Sequence, residues 1–487
     1  MNKKVAIIGS GIAGIATSIR LKAKGFDVTV YEKNSFPGGK LSSFKLGEFR
    51  FDAGPSLFTM PQYVDELFDI SGENPKDHFK YKRKKIACKY FWEDESIFNA
   101  YSDKEKFYDE CENKFNVERK QIKKYLDKAK KKFDLTRKIF LEKSLHKINS
   151  FLNYETVKAL FNLNIYQINK NLDEVNQKEI EEKHLVQLFN RYATYNGSSP
   201  YKTPGMMTLI QHLESHYGTY IPIKGMNDIS NSLYRLAERK GVKFEFESEV
   251  EKIEIQNNKA IGVIVNNKLN RFDKIVSNSD VYSTYKYLLK EKLNHNSLKQ
   301  ERSSSAIIFY WGVKKIYKQL DLHNIFFSDN YEKEFKYIFD ENKIIDDPTI
   351  YVNITSKDVP TDSPDSCENW FVMVNSPFNT GQDWEKIKNT LRSNIISKLE
   401  RILKENISKN IVEERIYTPV DLESNTNSYQ GSLYGISSNN KFSAFLRHPN
   451  FLKKIPNLYF CGGSVHPGGG IPLCLLSAKI VSNLIEK

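Results

Sequence analysis

Residues 4–33, KVAIIGSGIAGIATSIRLKAKGFDVTVYEK, decide the fold. Residues 5–8 are an apolar run of the length of a buried strand. Residues 12–24 read as a helix and residues 27–31 as a second strand, with Glu32 at its end. Gly9, Gly11 and Gly14 fill the turn with the spacing G-x-G-x-x-G. In such a unit the first glycine permits the tight turn, the second lets backbone approach a pyrophosphate, and the third lets the helix pack close to the strand. The helix N-terminus offers unpaired N–H groups to phosphate. Glu32 stands where an acid accepts hydrogen bonds from a ribose diol. A tight turn without a ligand explains the glycines alone; glycines, two strands and an acid at this distance point to a dinucleotide.

At 487 residues the chain exceeds one ordinary core, and roughly 150 residues per domain gives two or three. Its 31 Phe and 27 Tyr are more than a nucleotide fold needs, which points to a second apolar compartment, although most aromatics simply fill cores. The formal charge is +13, and much of it lies in residues 119–147, where twelve Lys and Arg face three acids. Ile122, Tyr125, Leu126, Ala129, Phe133, Ile139, Phe140 and Leu145 are interleaved there at near-helical spacing. A basic amphipathic helix reads either as a membrane-surface element or as a solvated helix face. No nucleic-acid reader motif accompanies the charge, so nucleic acid is not an expected partner. Cys88, Cys111, Cys367, Cys461 and Cys474 form no CxxC pair and fit a reduced intracellular protein. A strand begins almost at the first residue, so no signal peptide is expected. No apolar run approaches the roughly 18 residues of a membrane span. Membrane contact is therefore expected to be peripheral, on the inner face of the cell membrane of a cytoplasmic protein.

The pattern along the chain predicts an α/β protein with a discontinuous Rossmann-like domain. Residues 1–100, 218–280 and 426–487 carry the alternating strands, helices and glycine-rich turns of a nucleotide-binding domain. Residues 101–217 are mostly helical in pattern and Lys-rich, a lid or membrane-associating region. Residues 281–425 mix strands (306–311, 349–354, 370–374) with a helix at 384–403, and read as a mixed-sheet substrate domain. The tail returns to the opening pattern, with a strand at 457–461, glycines at 462, 463 and 468–470, and a helix at 473–485.

Further motifs join the opening fingerprint. They are Pro37-Gly38-Gly39-Lys40, Phe51-Asp52-Ala53-Gly54-Pro55-Ser56, Asn457 through Gly463, and His466-Pro467-Gly468-Gly469-Gly470-Ile471-Pro472. With Gly218 through Met226, Tyr417-Thr-Pro-Val-Asp421 and Ser477-Ala-Lys479, the chain resembles, over nearly its whole length, the carotenoid desaturases of the phytoene desaturase type, within the flavin-dependent amine oxidase-like superfamily. HPGGGIP is the most specific element. Lys224-Gly225, where many relatives carry two glycines, is a departure confined to one loop. Residues 51–61 and 191–200 resemble the hydroxycarotenoid 3,4-desaturases of flavobacterial pathways more than phytoene desaturases.

The resemblance implies noncovalent FAD. It places Gly9, Ser10, Gly11, Ile12, Ala13 and Gly14 at the pyrophosphate and Glu32 and Lys33 at the adenosine. Gly39, Lys40 and Leu41 fall on the flavin side with Gly54 and Pro55, and Val250 falls at the adenine. Gly462, Gly463 and Ile471 close the pyrophosphate and isoalloxazine. It implies a long apolar polyene as substrate, desaturated by loss of hydride to the flavin, with oxygen or a quinone both open as electron acceptor. Charge left on an allylic carbon is delocalised, so a strong general base is unnecessary, in keeping with a sequence that has no Ser-His-Asp or metal-ligand pattern. The catalytic residue is left unassigned. His466, Asp52 and Arg191 are the candidates for an acid–base helper, against readings as a loop-shaping hydrogen bond, a turn cap and a packed helix end. Phytoene desaturation, carotene isomerisation and saturation share these motifs. An amine oxidase would want an aromatic cage that the sequence does not place. A prenyl-binding protein without FAD would lack the intact fingerprint.

Overall fold

The computed structural model describes residues 3–137, 141–146, 163–290, 296–440 and 447–486. The first strand, Lys4–Ile8, is buried at four of its five positions and forms the centre of a five-stranded parallel sheet. Asp27–Tyr31 and then Lys243–Glu245 lie on one side of it; Lys274–Ser277 and then Leu458–Phe460 lie on the other. Strands from the start, middle and end of the chain thus make one sheet. The helix Ile12–Ala23 packs on it between Asn227–Arg239 and Ile471–Leu484. Small buried residues, Ala13, Gly14 and Ala16, permit that close approach.

Residues 243–255, whose sequence reads as one or two strands, fall in two: Lys243–Glu245 lies in this sheet and Val250–Gln256 in a separate three-stranded antiparallel sheet. The latter continues through Lys259–Val265 and Lys268–Arg271. Its two hairpins turn on Asn257-Asn258 and Asn266-Asn267, all four at positive φ, the backbone that two-residue hairpins require and asparagine tolerates.

A seven-stranded mixed sheet forms the second body. Its order is Ile411–Tyr417, Ser305–Val313, Glu368–Ser376, Ile350–Ile354, His323–Phe326, Ile86–Phe91 and Ile97–Tyr101. All nine residues of Ser305–Val313 are buried, because both faces are covered. Ile307, Phe309 and Trp311 pack with the helix Trp384–Leu403. Ile308 and Tyr310 turn the other way, toward Phe49, Phe51 and Phe371. Residues 1–100 therefore serve both sheets: Ile86–Phe91 joins the seven-stranded sheet by parallel pairing with His323–Phe326. Alternation in the sequence identifies such a strand without saying which sheet it enters.

Residues 101–217 are mainly helical where described, with Lys104–Phe115, Arg119–Thr136, Leu172–Ile180 and Lys183–Asn190. The apolar stripe of Arg119–Thr136 faces inward: Ile122, Tyr125, Ala129 and Phe133 are buried. Phe133 is 0 % exposed, against His212 and Tyr217. Phe133 is therefore not free to dip into a bilayer, since its face of the helix already meets protein. Lys120, Lys123, Lys124 and Lys131 remain on the exposed face. Lys138, Ile139, Phe140 and Lys147 lie outside the described residues. No helix among the described residues is long and apolar enough to cross a membrane.

Candidate functional site

A cavity of about 1270 Å³ runs from the carboxyl ends of the parallel strands to the inner face of the seven-stranded sheet. This is where open α/β sheets bind ligands. Gly9, Gly11, Ile12 and Ala13 form its wall at the first turn, with Glu32, Lys33 and Val250 beside them. Gly39, Lys40, Leu41, Gly54 and Pro55 line it further on, and Gly462, Gly463 and Ile471 close it from the other end of the chain. His466 and Arg191 also line it. The structure thus brings most of the sequence-derived positions to one cleft. Ser10, Gly14 and Asp52 stand behind the wall.

Each of the three has a structural role. Ser10 donates twice to Glu32 Oε2, from N and from Oγ, each at 2.8 Å. Asn34 N donates to Oε1 at 2.9 Å. A carboxylate has about four acceptor positions, so Glu32 is fixed in direction and keeps one for a ribose hydroxyl. Gly14 is where helix meets strand: a Cβ there would sit 2.2 Å from the Gly9 carbonyl oxygen. Asp52 accepts from Met226 N and Asn227 N at 2.8 and 2.9 Å and pairs with Arg50 at 2.8 Å. It caps the helix Asn227–Arg239 and is removed as an acid–base helper.

The cleft fits a diphosphate. The helices Ile12–Ala23 and Ile471–Leu484 begin at Gly11 and Gly470, both on the cavity wall. Neither has a side-chain cap or an acid in its first turn. Their free N–H groups and positive dipole ends are thereby left for an anion. Sequence reasoning missed Asn278, whose Nδ2 donates to Gly9 O at 3.3 Å and packs where Gly11 lacks a Cβ. It follows the strand Lys274–Ser277, and the rule that ligands gather at strand carboxyl ends would have found it. Arg447 was missed as well. Buried on the cavity wall, it donates to Tyr434 O at 2.8 Å, and burial pushes its guanidinium down to about 10. Lys40 Nζ donates to Leu433 O at 3.0 Å, and burial lowers its pKa too, opposed by Asp280. These cations suit an electron-rich partner.

The remaining helper candidates have structural partners. His466 is 2 % exposed, and its Nε2–H donates to Lys143 O at 2.9 Å. Burial holds its pKa down at about 4, so the ring is neutral near pH 7 and already engaged. Arg191 Nη2 donates to Tyr90 Oη at 2.9 Å and Tyr195 Oη at 3.2 Å, and pairs with Glu214 at 3.4 Å. Tyr90, Tyr192 and Tyr195 surround its guanidinium with ring faces 5.2–5.4 Å away. No metal-binding cluster occurs among the described residues.

Comparison with known proteins agrees with this geometry. Residues 12–485 match the family of flavin containing amine oxidoreductases. A 1-hydroxycarotenoid 3,4-desaturase of Flavobacterium sp. (strain P99-3) is 52% identical over 99% of this chain and 99% of its own. A 4,4'-diapolycopene oxygenase of Methylomonas sp. is 31% identical over 99% and 98%. Among solved structures, cyclohexylamine oxidase from Brevibacterium oxydans shares the fold with a TM-score of 0.62 at 14% identity, over 99% and 98% of the two chains. Two uncapped helix ends, glycine turns from both termini and a match spanning almost every residue converge: the chain belongs to the flavin containing amine oxidoreductase family, with FAD as its cofactor.

Proposed function

We propose that the chain is an FAD-dependent carotenoid desaturase that introduces C=C bonds into a linear polyene, of the 1-hydroxycarotenoid 3,4-desaturase kind. The observation that carries this reading is 52% identity to such an enzyme along the whole chain. The amine oxidases among the solved structures share the fold at far lower identity. Bound FAD supplies the two-electron chemistry by accepting hydride. The chain's own residues place and enclose. Gly9, Gly11 and the two helix N-termini would hold the pyrophosphate, Glu32 the ribose, and Gly39, Lys40 and Ile471 the ring system. Ile308, Phe371 and Met373, projecting from alternate positions of the seven-stranded sheet, line the cavity beyond Gly54 with apolar surface. They exclude water from the reacting bond and hold the polyene against it. With His466 and Asp52 occupied structurally, proton loss from a delocalised cation falls to a weak base. In cells accumulating either lycopene or its 1-hydroxylated derivative, expression should lengthen the chromophore of the hydroxylated pigment. An unchanged absorption spectrum in both pigment backgrounds would reject the desaturase.

The polyene partner of this reading dissolves in bilayers, and the protein has a basic face to meet one. Phe133 and Thr136, at the end of the helix Arg119–Thr136, line the cavity, followed by Leu141 and Leu145. The exposed lysines of that helix would hold the channel against anionic lipid by charge alone, at about 1 kcal/mol per cation near the surface. The exposed lysines support a peripheral position on the inner face of the cell membrane as part of this proposal. Binding to vesicles with acidic lipid should weaken steeply with salt; salt-insensitive binding to neutral vesicles would contradict this mode.

A further inference from the structure

Besides Tyr63 Oη, three buried polar atoms of cavity-lining residues have no hydrogen-bond partner among the described residues: His323 Nε2, Tyr331 Oη and Arg191 Nε. The residues that carry them are 3, 5 and 9 % exposed. They belong to one region. Tyr90, held by Arg191, pairs across the sheet with Ile325, two residues from His323. Tyr90 also stacks on Phe327 at 5.8 Å, and Phe327 meets Tyr331 at 5.5 Å. One region of an otherwise greasy cavity wall therefore carries a polar cluster. Orphaned buried polar groups are rare enough to need a reason.

The protonation of His323 follows from its neighbours. Asn353 Nδ2 donates to Leu322 O at 2.9 Å, which fixes that atom as the amide nitrogen. The same nitrogen lies 3.2 Å from His323 Nδ1, so Nδ1 is an acceptor. Its single lone pair is taken chiefly by Tyr351 Oη, the nearer donor at 2.7 Å, and Ser56 Oγ, 2.8 Å from Tyr351 Oη, supplies the next donor. In a neutral imidazole the proton is then on Nε2, the orphaned atom. The relay Ser56–Tyr351–His323 begins one residue after Pro55, on the wall assigned to the flavin side. It presents an N–H donor of fixed direction.

We propose that His323 Nε2–H, with Tyr331 and Arg191 beside it, is the recognition site for an alcohol oxygen at one end of the polyene, and that this contact sets which C–C bond is oxidised. The inference rests on the desaturase reading above. A hydrocarbon rod in an apolar tunnel has no register, since each step along it exchanges like contacts for like. An oxygen on C1, two carbons from the C3–C4 bond, supplies one. Tyr331 Oη can accept the alcohol proton while His323 donates. An unhydroxylated end in the same place leaves these groups unpaired, which works against it by about tenfold to a hundredfold.

The test uses holoenzyme in vesicles with two polyenes that differ only in the terminal hydroxyl. It measures kcat/KM, the position of the new double bond, and equilibrium binding by quenching of tryptophan fluorescence. Wild type should favour the hydroxylated polyene in both turnover and binding by about tenfold or more. His323→Leu should bring the binding and turnover ratios near parity and yield products desaturated at mixed positions, whereas His323→Gln, which keeps an N–H, should retain part of the preference. Tyr331→Phe, a smaller change, should also lower the ratio, and it decides the matter if His323→Leu protein does not fold. A wild-type ratio near one, or an unchanged ratio in the variants that fold, overturns the recognition site while leaving the desaturase intact. Failure of wild type to convert either polyene overturns the desaturase reading itself.

Discussion

Alanine at Gly14 is expected to give protein that emerges from purification without its yellow cofactor. The added Cβ would lie 2.2 Å from the Gly9 carbonyl oxygen and 3.0 Å from Asn278 Nδ2. The first of these is backbone and cannot rotate away. The helix Ile12–Ala23 would have to lift off the strand, yet Asn227–Arg239 and Ile471–Leu484 hold it from both sides. Overpacking of a side-chain contact costs about 1–3 kcal/mol, and a backbone clash lies at the upper end. The lifted helix would carry its free N–H groups away from the pyrophosphate. We expect the ratio of flavin to protein absorbance to fall about tenfold or more, with a lower thermal midpoint that added FAD does not restore, because ligand stabilisation requires a competent site. Alanine at Gly11 meets only the Asn278 side-chain amide, at 2.8 Å, and should disturb the fold less. Full flavin content in the Gly14→Ala protein would remove the cradle from this place.

Mild acid should destabilise the protein through its buried imidazoles. Of the three that burial holds lowest, His212 at about 4 is offset by Glu334, which burial raises to about 7 and which therefore takes up one proton in the folded state, and two remain. Burial holds His466 at about 4 and His323 at about 3, against an ordinary value of 6.5. Their stabilising contribution is complete above pH 6.5. Below it the unfolded chain takes up two protons that the folded protein refuses until it reaches their depressed values. Stability therefore falls by about 2.7 kcal/mol per pH unit once both imidazoles are charged in the unfolded state, or about 3 kcal/mol between pH 6.5 and 5. Domains of this kind have only about 5–15 kcal/mol in hand. Urea midpoints of the holoprotein at pH 7.5, 6 and 5 would measure the decline. A midpoint constant across that range would show that both rings are hydrated in solution.

The parts of the fold written locally were legible. The strand–turn–helix of residues 4–31 could be read because each glycine answers a need within a few residues of itself. The helix at 384–403 could be read from its length and period. The membership of Ile86–Phe91 could not, because its partner His323–Phe326 lies more than two hundred residues away. The same distance problem hid Asp52, whose cap partners are Met226 and Asn227. Spacing in Arg119–Thr136 gave the apolar stripe correctly but could not say whether lipid or protein covers it; Phe133 meets His212 and Tyr217. Nothing in the sequence distinguishes His323 or Tyr331 from other core side chains. Their significance rests on what Asn353, Tyr351 and Ser56 do to one imidazole.

The central sheet takes its edge strand Leu458–Phe460, and the cleft its second uncapped helix Ile471–Leu484, from residues that follow the first glycine turn by more than four hundred positions. A nascent polypeptide on the ribosome therefore holds one jaw of the clamp long before it gains the other. Loading with coenzyme waits on that second jaw, and until it arrives the greasy tunnel is a burden for chaperones to shield.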